Sequence, residues 1–301
     1  IMQVKFYESD TLLKNYILMF AYAELSVNEL SKTKFLPDNA TSLTLFLNQN
    51  PSVTDYFTGN TVNYRIAFAG QHSKSVLYTS NENIRIINID FLPWGAYSVF
   101  GLEQSQFHNI TVDATELFPA LKDLLPDLEA HLHDDEYCMR ILEKFLIAEL
   151  QKRSKTTDER IIKVSREVTE KSGNVPIKEI CKKVGMSHSG LTNHFTEIIG
   201  VNPKLFGRVA RFTAVQNFLG ENPNAGWSDI VHQFDYFDQN HFIREFKQFT
   251  GAVPKDRRKW EALFNPLKKA IEEGFETDAE QMKRYRNASL YQILHYISPE
   301  H

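Results

Sequence analysis

The sequence predicts an α+β chain. A β-rich N-terminal domain of barrel or cupin-like type, with trailing helices, precedes an all-α domain of two helix-turn-helix units joined by a linker helix. Three observations carry this expectation. Short runs rich in β-branched and aromatic residues, broken by turn residues, fill roughly the first hundred positions. Apolar residues then recur at helical spacing after residue 113. Finally, one plan of short helix, tight turn and second helix occurs twice between residues 177 and 251.

The β elements come first. Runs 42–47, 64–69, 75–78 and 83–91 read as strands, separated by Pro37-Asp38-Asn39, Asn50-Pro51, Thr58-Gly59-Asn60, Gly70-Gln71 and Pro93-Trp94-Gly95. Their spacing suits an antiparallel barrel or sandwich. Polar/apolar alternation fails at Ile86-Ile87, so some strands are expected to be covered on both faces. Helices are expected over 115–125 and 135–152. In the second, Cys138, Ile141, Leu142, Phe145 and Ala148 form an apolar stripe that Leu146 and Leu150 widen. The polar stretch 152–158 (KRSKTTD) reads as a linker, dividing the chain into 1–155, 156–264 and a helical extension 265–301.

The repeat pairs residues 177–200 (IKEICKKVGMSHSGLTNHFTEIIG) with 227–251 (WSDIVHQFDYFDQNHFIREFKQFTG). Each copy ends at a glycine and reaches a proline three residues later, at Pro203 and Pro254. Aligned on these glycines, Phe195 meets Phe246 and Leu191 meets Phe242. With one extra turn residue, Phe237, Ile180 meets Ile230 and Met186 meets Tyr236. The turn needs positive φ, which Gly185 takes freely and Asp235 tolerates. Ser187 and Asp238 stand at the N-cap positions of the following helices.

These residues resemble the C-terminal DNA-binding domain of AraC/XylS-type bacterial transcription regulators, over residues 163–260. The densest part of the likeness is DQNHFIREFKQFTGAVP (238–254), followed by the basic pair Arg257 and Arg258. Between the copies, residues 203–219 resemble the family's linker helix, with Phe206, Arg211, Ala214 and Leu219 at its aromatic, basic, small and apolar positions. Two departures fall in the first copy, where Asn193 replaces a usual basic residue and Gly190 a helix former. The resemblance implies a sequence-specific transcription factor in the bacterial cytoplasm or nucleoid. Its partners would be double-stranded DNA, a small-molecule effector, a second copy of the chain as a homodimer and, for an activator, RNA polymerase. It implies no cofactor and no catalytic residue.

An α-helix fits the major groove and offers the side chains of its first turns to base edges. In the second copy these are Phe237, Gln239, Asn240, His241 and Arg244. In the first they are His188, Ser189, Thr192 and Asn193. Lys247, Lys255, Arg257 and Arg258 suit phosphates, which add salt-sensitive affinity without sequence information.

Charge agrees with this division. Of 301 residues with a net charge of −4, residues 1–155 hold 13 basic and 19 acidic side chains, while 156–264 hold 16 and 13. No apolar run reaches the ~18–20 residues of a membrane span, and no secretory pattern opens the sequence. Cys138 and Cys181 lack metal spacing and fit a reducing cytosol.

The β-then-helix order of the first 155 residues resembles the sensing and dimerising domains of AraC-type regulators. GQHSKSVLYTS and FLPWGAYSVFGLE look like an uncharacterised N-terminal domain found in some of them. Candidate effector-pocket residues are Arg65, Gln71, His72, Phe91, Trp94 and Tyr97, although barrel core is the weightier reading of the aromatics. An alternative is a metal-dependent cupin-like enzyme using His131, His133 and the acids 134–136, joined by His72 and His108. Against it, Asp134 or Asp135 is a natural N-cap for the next helix. A DNA-repair enzyme fused to the module is a further alternative, unsupported by any reactive-cysteine context. The extension, with helical stretches 266–275 and 278–296, is expected to dock on the protein. Its competing roles are contact with a partner subunit or occlusion of the DNA face.

Overall fold

The structure, a computed structural model, describes residues 3–27, 34–48, 53–55, 59, 61–153, 157–222 and 225–251. The extension 265–301, Lys255, Arg257 and Arg258 lie outside the described residues.

Among the described residues, ten strands make the N-terminal part: β1 Gln3–Tyr7, β2 Ile17–Leu25, β3 Lys34–Phe35, β4 Thr41–Phe46, β5 Val53–Asp55, β6 Thr61–Val62, β7 Ile66–Ala69, β8 Val76–Thr79, β9 Ile84–Phe91 and β10 Thr111–Asp113. They form a six-stranded sheet ordered β1-β2-β9-β4-β7-β10 and a four-stranded sheet ordered β3-β8-β5-β6. Every pairing between them is antiparallel. The run Ile86-Ile87 is explained by β9, which lies between β2 and β4 and is buried at Ile84 and from Ile86 to Phe91. Strand β2 (ILMFAYAEL) was not expected. It is buried along nearly its whole length, so it shows an unbroken apolar run that periodicity cannot assign.

The helices begin with α1 Gly95–Phe100 and continue with α2 Ala114–Leu117, α3 Pro119–Ala130 and α4 Asp135–Gln151. The single helix expected over 115–125 is two. Pro119 drives Phe118 out of the helical region, to φ −126° and ψ 91°, and then opens α3 at its first position. Helix α4 lays Cys138, Leu142, Phe145 and Leu146 on the sheet, completing a core with Leu43, Phe68, Ile87, Ile89, Phe91, Phe100 and Phe118. Rings lock its centre: Phe100 stacks on Phe118 at 4.2 Å, and Phe68 meets Phe100 edge-on at 6.0 Å. Asp134 caps α4 by accepting from the Tyr137 amide.

The remaining helices are α5 Glu159–Glu170, α6 Ile177–Val184, α7 His188–Ile199, α8 Pro203–Glu221, α9 Trp227–Gln233 and α10 Gln239–Thr250. They build two small cores. The first gathers Ile161, Ile180, Leu191, Phe195, Ile198 and Phe206. The second gathers Phe212, Ile230, Tyr236, Phe242, Phe246 and Phe249. Among the described residues, the N-terminal part contributes buried Trp94 to the first core, with Tyr16, Leu92 and Tyr97 packed against it, and buried Leu36 to the second. Among the described residues, no helix is long and apolar enough to cross a membrane.

Candidate nucleic-acid interface

Each helix-turn-helix unit is built by local chemistry that the sequence spells out. Gly185 ends α6 at φ 66°, and Asp235 takes φ 53° at the matching turn of the second unit. Ser187 then caps α7, its Oγ accepting from the Gly190 amide at 3.1 Å. Asp238 caps α10, its carboxylate accepting from the His241 amide at 2.6 Å. Between the units, Asn202 caps α8 by accepting from the Leu205 amide at 2.9 Å, and Pro203 occupies the first turn, where its missing N–H costs nothing.

The inward stripes are Leu191, Phe195, Ile198 and Ile199 on α7, and Phe242, Phe246 and Phe249 on α10, all buried. The opposite faces carry the candidate contacts. On α7, His188, Ser189 and Asn193 are exposed and Thr192 is half-buried. On α10, Gln239, Asn240, Arg244 and Lys247 are exposed, while His241 is half-buried beside the Tyr236 ring at 5.4 Å. Phe237, just before the cap, is 91% exposed.

One feature escaped the sequence reading. Glu245 follows Arg244 but turns inward, its side chain 2% exposed. It accepts from Arg208 Nε at 2.7 Å, from Arg211 Nη2 at 3.1 Å and from the Tyr236 hydroxyl at 3.0 Å. Burial, then the adjacent carboxylate, hold the Tyr236 phenol protonated far above its ordinary range, so it stays a donor. Arg211 also stacks over the Tyr236 ring at 4.3 Å. The linker helix α8 is thereby fastened to α10 by a buried charge cluster. The available signal was a lone acid flanked by Phe242, Phe246 and Phe249, a position where a carboxylate must find partners.

Above this cluster a cleft of about 570 Å³ opens between the units. Its rim includes Lys204, Arg208, Arg211, His241 and Arg244, and Val175 and Ile177 line it from the first unit. Arginine and lysine at such a rim suit anionic oxygens.

The candidate effector residues are dispersed. Phe91 and Trp94 line a common cavity, though Phe91 is part of the barrel core and Trp94 of the first helical core. Trp94 Nε1 donates to the Asn15 carbonyl at 3.0 Å. Tyr97 donates to Glu197 on α7 at 3.0 Å. Gln71 is buried, its amide donating to the Asn39 carbonyl at 3.1 Å, and His72 is half-buried nearby in the chain. Arg65 donates to the Phe46 carbonyl at 2.9 Å and pairs with Glu129 at 3.5 Å.

The histidines of the metal alternative have other surroundings. His131 stacks on Tyr137 at 4.1 Å and His133 is exposed, while Asp135 is engaged by Lys5 and Tyr7. His108 contacts Ser73 Oγ at 3.0 Å, and burial lowers its pKa. Among the described residues, no three His, Cys, Asp or Glu gather as a metal would require. Burial pushes the Cys138 thiol up to about 11, the pattern of a packing residue.

Residues 180–259 match a protein family described as a helix-turn-helix domain. No curated protein matches the chain significantly. Among solved structures, ToxT from Vibrio cholerae O395 is 14% identical, over 86% of this chain and 96% of ToxT, with a TM-score of 0.40. Wild-type ToxT from Vibrio cholerae strain SCE256 with bound unsaturated fatty acid is 11% identical, over 85% and 97%, at 0.42. The AraC-like transcriptional activator CuxR is 11% identical, over 72% of this chain and 86% of CuxR, at 0.22.

Proposed function

We propose that this chain is a sequence-specific DNA-binding transcription regulator of the AraC type whose N-terminal part controls how two reader helices engage their sites, a reading supported by the match of residues 180–259 to a helix-turn-helix family. The observation that carries the reading is the division of α10 into a buried aromatic face and an exposed face bearing Gln239, Asn240, Arg244 and Lys247. Gln and Asn pair bidentately with adenine, and Arg with guanine. Phe237, a bare aromatic ring beside these donors, suits a thymine methyl group. In this reading the first unit, through His188, Ser189, Thr192 and Asn193, reads a neighbouring major-groove segment.

Residues 1–155 would carry effector control and homodimerisation, and residues 156–264 DNA binding. Support for control by the first part is physical. Trp94 and Leu36 enter the two helical cores, so a shift of the sheets would be felt by both units. A coupling of about 1–3 kcal/mol suffices for useful switching.

Selection of bound sequences from a random duplex pool tests the reading. Two fixed sequence blocks about one helical turn apart are expected, with affinity falling steeply as salt rises. Enrichment of nothing, both by the full chain and by residues 156–264, would overturn it.

A further inference from the structure

The second cavity holds about 310 Å³ and is shared by both parts of the molecule. Asp38, Phe91 and Trp94 line it from the β-rich side, and Arg166, Thr213 and Ala214 from α5 and α8. That volume is at the lower end of the range for small-molecule sites.

Its polar groups are incomplete. Asp38 Oδ1 accepts from the Ala40 amide at 3.0 Å, but Oδ2 is shut off from solvent and has no hydrogen-bond partner. Across the cavity wall, Thr213 is only 5% exposed, and its hydroxyl also lacks a partner. Burying an acceptor unpaired is costly, and more so for a carboxylate. Burial, reinforced by the nearby Asp90 carboxylate, pushes the Asp38 acid up to about 8, and a positive charge placed beside it would bring that value back down and hold it as a carboxylate. Arg166 does not supply it, because its guanidinium is stacked on the Trp94 ring at 4.8 Å. Glu170 also lines the cavity and adds a second acidic side chain.

We infer that this cavity binds a small organic cation, a primary ammonium on an aromatic or short aliphatic body, held between Asp38 and Thr213. An ammonium has three donors and no acceptor, so it can serve Asp38 Oδ2 and Thr213 Oγ1 together. The apolar body then rests against Phe91, Trp94 and Ala214. Such a ligand touches the sheet side and the linker helix at once, and so stiffens the junction through which control is proposed above. In this consequence alone the inference rests on that reading.

Phenethylamine is the probe, titrated into the full chain while tryptophan fluorescence is followed at wavelengths where the probe does not absorb. A saturable change is expected. Asp38→Asn, which preserves shape and removes the charge, should weaken it by about tenfold or more, since a hydrogen bond to a charged group is lost. Thr213→Val should weaken it severalfold. The anion 3-phenylpropionate, of similar length, should not compete. No saturable change with phenethylamine, equal affinity in a folded Asp38→Asn protein, or equal binding of the anion would each overturn the inference. DNA binding measured on the same preparation separates the two readings. Amine binding without DNA binding sinks the regulator and leaves the site, while the converse sinks the site alone.

Discussion

The two helix-turn-helix units share a plan and differ in what holds and charges them. Reader helix α7 (HSGLTNHFTEII) contains no lysine or arginine, whereas α10 (QNHFIREFKQFT) carries Arg244 and Lys247. The first unit is steadied from outside. The 3₁₀ turn Gln104–Phe107 packs on α7, Gly200 abuts Gln104, and Tyr97 donates to Glu197. The second is steadied mainly from within, by Glu245 and its three donors. Among the described residues, its outside contacts include Leu36 and a backbone hydrogen bond from the Ser75 amide to the Phe249 carbonyl at 2.8 Å. The difference teaches a division of labour. On the proposed function, a reader fixed by its own linker helix would supply constant specific affinity, while one fixed by the N-terminal part would be the unit that part can adjust.

The sharpest way to break this comparison is Glu245→Ala. Removing the acid strands two arginines and a tyrosine, and about 3–5 kcal/mol of stability should go, read from urea unfolding. A loss below about 1 kcal/mol would mean that the second unit is not held internally. Next, Arg244→Ala should cost about 1–3 kcal/mol of binding to a selected duplex and relax specificity at one position. Asn193→Ala should cost less, because a helix without lysine or arginine contributes weaker contacts, and equal losses would erase the distinction. Tyr97→Phe should remove about 1 kcal/mol and alter DNA affinity through the first unit alone. The selection motif of the variant checks this, with changes confined to one block. The smallest effects are expected in the turns. A Cβ at Gly185 would meet no atom within 4 Å, so Gly185→Ala costs only left-handed backbone strain, about 1 kcal/mol. Asp235→Gly should relieve strain of the same kind at φ 53°.

What could be read in advance follows the range of the forces involved. Caps, the positive-φ turn positions and inward aromatics are local, so Ser187, Asp238, Gly185, Phe195 and Phe246 were legible from spacing alone. Strand β9 was legible too, through its β-branched residues. Strand β2 was not, because burial on both faces erases the period-2 signal, and β1 gains its identity by pairing with it. Glu245 looked like one more polar residue on an exposed helix, since its donors Arg208 and Arg211 lie more than 30 positions earlier. Trp94 was expected in an effector pocket as a barrel aromatic. It lines the cavity shared by both parts of the chain and also joins the core of Ile161, Ile162 and Val164, a placement that no local pattern encodes.

The Glu245 cluster also has a consequence for descent. One carboxylate answers Arg208, Arg211 and Tyr236, so none of the four can drift alone without leaving a buried charge or hydroxyl unanswered. Relatives of this chain should therefore change these positions in concert, with an apolar residue at 245 accompanied by the loss of at least Arg211. The exposed neighbours Arg244 and Lys247 carry no such bond and are free to diverge one at a time. A lineage could thus alter the DNA it recognises while inheriting unchanged the scaffold that presents the reader.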